Sequence, residues 1–255
     1  MIRDLRSILD GWDYEPGKIS VRKIIGRDGR ERIQTRIDMG VLQLETLGRP
    51  DGRRPHEQDS LLDYHGHRLA EHIERYGDDN DFVLTPDECR ELRNEAHMYY
   101  QRYLSLFVLE DFEGVERDTA RNLRVIDCCE AYAAGETDRR ALTTQRAYVM
   151  MMNIRAQVYG ALQQERFEAA VALVESGIAR VRNLPPPPSA GDPEPIDPYQ
   201  GELSVLIDLQ REVYRRLPQD STTRLRWELS GALAAEDYER AARLRDELSK
   251  RPREP

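Results

Sequence analysis

Two regimes of hydrophobic spacing divide the chain. From Ile19 to Val41 covered-face positions recur at every second residue: Ile19, Val21 and Ile25, then Ile33, Thr35, Ile37, Met39 and Val41. A period of two is the pattern of a strand with one buried face. Between the two runs lies Arg27-Asp28-Gly29-Arg30, and Asp-Gly flanked by alternating residues predicts a β-hairpin, because glycine accepts the positive φ that the turn requires. The parity of the apolar positions switches after Gly40, to Leu42, Leu44 and Leu47, which reads as a β-bulge or a strand end. Gly48 to Pro55 holds two glycines and two prolines and reads as a loop.

After Ser60 the period changes to that of a helix. Ser60 can cap a helix carrying Leu62, His65, Leu69, Ile73 and Tyr76 on one stripe, closed by Gly77. Thr85-Pro86-Asp87-Glu88 is a capping box with proline at the first helical position, and it opens a helix that runs to about Leu109. Further helices are expected over Phe112 to Cys129, from about Arg139 to Gln163, over Phe167 to Val181 and over Leu203 to Leu217, where Pro218 stops the last. Seven of the fourteen prolines fall between Pro185 and Pro198, so this stretch reads as an extended spacer between packed parts.

One corner recurs three times, as Leu109-Glu110-Asp111-Phe112-Glu113, Gln164-Glu165-Arg166-Phe167-Glu168 and Ala235-Glu236-Asp237-Tyr238-Glu239. In each, polar residues turn the chain and an aromatic begins the next helix, where it can pack back on its partner. Repeated pairs of this kind have tetratricopeptide-like local geometry, although the 55- and 71-residue spacings between the aromatics do not make a regular array. The fold expected is mainly α. It has an N-terminal basic β-hairpin module (1–58), a central helical-hairpin bundle (60–183), a Pro-rich linker (184–200) and a final unit of one helix plus a helical hairpin (201–255).

The stretch from Leu225 to Leu248 resembles the UVR motif, the short helical hairpin of the UvrB and UvrC excision-repair proteins and of some chaperone ATPases and their adaptors. Leu225, Glu228, Leu229, Ala232, the Glu236-Asp237-Tyr238-Glu239 corner, Ala241-Ala242, Leu244-Arg245-Asp246 and Leu248 carry the resemblance. It implies docking, in those families onto a second hairpin of the same kind. From spacing alone, Leu225, Leu229, Ala232 and Leu233 form one stripe, and Tyr238, Ala241, Ala242, Leu244, Arg245 and Leu248 form the facing one. A two-helix unit of this length buries too little surface to stand alone, so its remaining apolar edge must meet its own bundle or another protein. The docking set is Leu225, Leu229, Ala232, Leu233, Tyr238, Ala241, Ala242, Arg245 and Leu248. Repair chemistry does not carry over, because the chain has no Walker loop, no two-metal carboxylate set and no C-x-x-C pair.

Charge adds one alternative. Between Gly17 and Arg36 there are seven basic residues and two acidic ones, so this segment is +5 and the remainder of a chain of net charge −9 is −14. Arg22, Arg30, Arg32 and Arg36, with Arg49, Arg53 and Arg54 of the following loop, form a candidate anion-binding set. The alternative function is therefore a nucleic-acid-associated factor that contacts the phosphate backbone through the basic hairpin. Pairing of these arginines with acidic helices of the same chain is the competing explanation.

Other chemistry is sparse. Four of the five histidines stand at 56, 65, 67 and 72, but a helical H-x-H does not converge on one point, so no metal site is expected. Asp38, Glu45, Asp51 and Asp63 have no nucleophile or paired base beside them, and no enzyme activity or cofactor is expected. Cys89, Cys128 and Cys129 read as reduced thiols. A mean hydropathy of −0.72, the lack of a membrane-length apolar run, and a start (Met1-Ile2-Arg3-Asp4-Leu5) without a signal peptide's basic and apolar regions give a cytoplasmic expectation, with no membrane association. The partner expected is a protein, either another UVR-type hairpin or a second copy of the chain.

Overall fold

The computed structural model describes residues 4–186 and 198–250. A single helical turn, α1 (Arg6–Leu9), precedes a three-stranded antiparallel sheet of order β1-β2-β3, formed by β1 (Ser20–Ile25), β2 (Glu31–Ile37) and β3 (Gly40–Glu45). The Asp28-Gly29 turn is present, with Gly29 at φ 77° and its N–H donating to the Gly26 carbonyl at 3.0 Å.

The parity switch at Gly40 marks a second hairpin, not a bulge. Ile37 pairs with Gly40 across the two-residue turn Asp38-Met39, so Thr35 lies opposite Leu42 and Ile33 opposite Leu44. Opposed residues share a face, so an odd-numbered apolar set in β2 becomes an even-numbered set in β3. That face is turned to the helices. Ile33 and Leu44 are buried, and the Thr35 and Ser105 hydroxyls lie 2.7 Å apart.

The helices follow as α2 (Leu61–Tyr76), α3 (Pro86–Val108), α4 (Phe112–Tyr132), α5 (Glu136–Arg140), α6 (Arg146–Gln163), α7 (Phe167–Arg182), α8 (Gln200–Arg216), α9 (Thr222–Ala234) and α10 (Tyr238–Ser249). Ser60 caps α2, Gly77 closes it in the left-handed conformation, and Thr85 with Glu88 forms the capping box of α3. One helix is shorter than the periodicity suggests. The expected helix from Arg139 is interrupted after α5, and a single 3-10 turn (Thr143–Gln145) leads into α6. Leu142 is buried at this break. Arg139 Nε donates to the Ala133 carbonyl at 2.8 Å and Arg146 Nη1 reaches Asp127 at 2.7 Å, so tertiary partners on and beyond the end of α4 redirect the chain.

Packing is mostly sequential: α3 on α4, α4 on α6, α6 on α7, α7 on α8, then α8 on the start of α9. One apolar core joins the sheet, the second half of α3, α4, α6, α7 and α8. A second joins α2, the first half of α3 and the second half of α4, and Cys89 and Cys129 are buried there as free thiols. Burial pushes the Cys129 thiol up to about 12 and the Cys128 thiol to about 11. Leu203, Leu206, Leu209 and Val213 of α8 share the main core with Val174 and Ile178 of α7. We therefore group α8 with the bundle and not with the terminal hairpin. Most of the Pro-rich linker (residues 187–197) and the tail after residue 250 lie outside the described residues.

A buried ion pair ties the N-terminal module to the bundle. Arg102 on α3 donates from Nε and Nη2 to the two carboxylate oxygens of Asp118 on α4, at 2.6 and 2.8 Å, and from Nη1 to the carbonyls of Glu45 and Gly48 at 3.0 and 2.7 Å. Both side chains are buried, so these bonds replace water that neither group can reach.

Candidate docking hairpin

The three sequence corners share one backbone. Glu110, Glu165 and Glu236 have φ of 57°, 55° and 56°, the left-handed conformation that helix ends usually assign to glycine. The residue after each donates its N–H five residues back: Asp111 to Leu106 at 3.0 Å, Arg166 to Ala161 at 2.9 Å and Asp237 to Ala232 at 2.9 Å. The next helix begins at once with the aromatic. The α9–α10 hairpin is thus a third copy of the unit that builds α3–α4 and α6–α7.

Its local signals are clear. Ser221 caps α9 by accepting the Arg224 N–H, and Asp237 caps α10 by accepting the Arg240 N–H. Between the helices runs a narrow seam in which Leu225, Ala232, Ala241 and Leu244 are buried, with Leu229 and Leu248 packed against them. The two alanines carry little bulk, so the backbones can approach closely here. One side of the seam is closed by ions: Glu228 accepts from Arg224 at 2.9 Å and from Arg240 of the other helix at 3.0 Å. The Arg224 guanidinium, with Arg240 second, holds the Glu228 carboxyl below the usual carboxylate range.

The side opposite these ions is open. An antiparallel hairpin has an approximate two-fold axis, so residues rotated from the seam in the same sense on both helices emerge on the same side. Leu233 of α9 and the Tyr238, Ala242, Arg245 stripe of α10 are rotated in the sense opposite to Glu228 and Arg240. Leu233 is 52% exposed and Tyr238 68% exposed, and Ala242 and Arg245 are exposed as well. The nine expected docking residues therefore separate into two groups. Leu225, Leu229, Ala232, Ala241 and Leu248 hold the hairpin together, while Leu233, Tyr238, Ala242 and Arg245 face outward.

At the first corner of the bundle the aromatic is covered. Phe112 is 8% exposed and stacks on Tyr159 of α6 with centroids 5.2 Å apart. Gln163 at the end of α6 donates to the Glu110 carbonyl at 3.2 Å, so the corners at Glu110 and Glu165 lie side by side.

The hairpin is seated on the bundle by the first half of α9. Trp227 stacks on Tyr214 of α8, Arg224 Nη1 donates to the Leu217 carbonyl at 2.9 Å, and Thr223 Oγ1 donates to Glu168 at 3.0 Å. The packing partner of α10 is α9. The seating roles of Trp227 and Glu168 are not given by the apolar stripe, because Trp227 lies about half a turn away from Leu225 and Leu229 on α9.

All seven arginines of the candidate anion-binding set have partners inside the chain. Arg22 lies over the Trp12 ring at 4.0 Å and donates to Gln34 at 2.9 Å, and Arg36 donates to the Trp12 carbonyl at 2.9 Å. Arg32 joins Asp28 and Glu45 at 2.6 and 2.7 Å, and Arg30 approaches Asp28 at 3.8 Å. Arg49 reaches the buried Glu95 at 2.8 Å and Asp51 at 3.2 Å, while Arg53 pairs with Asp51 at 3.9 Å and Arg54 with Asp59 at 3.0 Å. Among the described residues no three or more His, Cys, Asp or Glu side chains are grouped so as to hold a metal ion. His65 is buried with Nδ1 facing the Arg68 guanidinium at 3.0 Å.

The family model described as the UvrB/uvrC motif, UVR, matches residues 223–250, which coincide with α9 and α10. The chain therefore carries a UVR motif at this hairpin, and the match supports an interaction-type role. No curated protein matches the chain, and no solved structure does. Among the described residues no helix is long and apolar enough to cross a membrane.

Proposed function

We propose that this protein is a non-enzymatic adaptor or regulator that docks a helical protein partner on the outer face of α9–α10. The single observation behind this reading is the contrast between equivalent corner aromatics. Phe112 is covered by a neighbouring hairpin, whereas Tyr238, at the same place in the same unit, stands exposed beside Leu233. Exposed apolar groups gathered at one end of a hairpin whose seam is already closed are the usual mark of an interaction surface. The partner is a hairpin of the same kind, on another protein or on a second copy of this chain, laid against Tyr238 as Tyr159 lies against Phe112. Arg245 at the rim fits an acidic group on that partner.

The test compares the intact chain with the double variant Leu233→Asp, Tyr238→Asp. Sedimentation velocity over a range of concentrations reads self-association, and co-purification with quantitative mass spectrometry reads other partners. The wild type should form a specific complex that the variant loses. A variant that retains every complex of the wild type removes the proposal.

A further inference from the structure

The break between α5 and α6 opens a cleft of about 480 Å³ against α3 and α4. A continuous helix from Arg139 would have followed another path, and places where local propensity is overridden are where function is commonly built. Three tyrosines line the cleft. Tyr100 and Tyr103 meet edge to face with centroids 5.4 Å apart, and Tyr148 is inclined to Tyr100 at 6.4 Å. Tyr103 is only 1% exposed, yet its hydroxyl has no hydrogen-bond partner among the described residues, nor have those of Tyr100 and Tyr148. The Tyr103 hydroxyl is not among the buried polar atoms left without a partner, so it opens on the cleft, where an occupant can accept from it. Ala96 in the wall and Ala141 at the rim keep the space open.

The charge at this cleft narrows the ligand. Arg93 is the one Arg, Lys, Asp or Glu side chain in its lining, and its guanidinium is held by Asp138 at 2.6 Å. Aromatic walls, a deep hydroxyl donor and no free charge suit a flat, uncharged ring system, and the volume lies within the range of about 300–1,000 Å³ common to small-molecule sites. We propose that this cleft binds an uncharged planar aromatic molecule of one or two rings that accepts a hydrogen bond from Tyr103. This site is remote from the docking reading and does not depend on it.

The test is a titration of the full chain, followed by NMR shifts of ring-labelled tyrosines. The neutral probes are nicotinamide, quinoline and indole, and the charged analogues are nicotinate and 1-methylnicotinamide. At least one neutral probe carrying an acceptor should shift the tyrosine signals saturably, and more tightly than either charged analogue. Tyr103→Phe, which keeps the packing, should weaken that binding about tenfold, as expected for one hydrogen bond. Ala141→Trp, placed at the exposed rim, should abolish it. The proposal is overturned if no neutral probe saturates, if a charged analogue binds as well, or if both variants bind like the wild type.

Discussion

The indole of Trp227 lies flat on the phenol ring of Tyr214, with centroids 5.0 Å apart and planes inclined by 5°. This stack joins a hairpin with a seam of four buried residues to a bundle with a large core. Replacing Trp227 with Ala should cost about 2 kcal/mol of hairpin seating, from lost apolar area and the ring pair. Limited proteolysis should then cut near Pro218 to Thr222 faster than in the wild type, while the thermal transition of the bundle moves little. Equal cleavage rates would show that the stack does not seat the hairpin.

The Arg102–Asp118 pair makes an opposite kind of prediction. Arg102→Ala leaves the buried Asp118 carboxylate with only Arg117, 3.0 Å away, as its ionic partner, and should destabilise the whole chain by about 3 kcal/mol in urea unfolding. The double variant Arg102→Met, Asp118→Leu removes both charges and should lose clearly less than Arg102→Ala alone. Equal losses would mean that the carbonyls of Glu45 and Gly48, not the ion pair, dominate.

Gly177 on α7 sits where an added Cβ would fall 2.6 Å from Ile154 Cγ2 on α6. Gly177→Ala should therefore destabilise the bundle by about 1–3 kcal/mol, although alanine is the better helix former. Differential scanning calorimetry reads the sign. A gain in Tm would mean that α6 and α7 separate easily.

Acid should loosen the hairpin. The Glu228 carboxyl is held below the usual carboxylate range by Arg224 and Arg240, so its folded pKa lies below its unfolded one. The stability it contributes is complete above the ordinary glutamate value of about 4.3 and is lost as pH falls through the lower, folded value. Protection of α9 and α10 against hydrogen exchange, taken relative to the intrinsic rate at each pH, should fall through that window, and Glu228→Gln should flatten this dependence. An unchanged profile in Glu228→Gln would assign the acid response to another group.

Much of this fold is legible because its signals are local. Ser60, Gly77, the Thr85-Glu88 box and Asp28-Gly29 each act within four residues of themselves, and each stands where the pattern puts it. The second sheet turn is harder to read because Asp38-Met39 lacks a glycine or asparagine at the turn centre. The corner backbones are hidden for a similar reason, since glutamate is an atypical residue at positive φ. The break before α6 is set by the burial of Leu142 and by partners on α4, which no local window contains. For the α9–α10 hairpin, the UVR resemblance located the element and spacing picked out its apolar residues. It did not separate seam from outer face, because Ala241 and Ala242, or Leu244 and Arg245, differ only by the 100° step between successive helix positions.

The most direct measurement pairs stability with association on the outer face of α9–α10. Leu233→Asp, Tyr238→Asp should keep the wild-type unfolding midpoint, because both side chains are exposed, and should lose the complex that the intact chain forms. Retention of that complex, or a collapse of the unfolding midpoint, would contradict a docking role for this face.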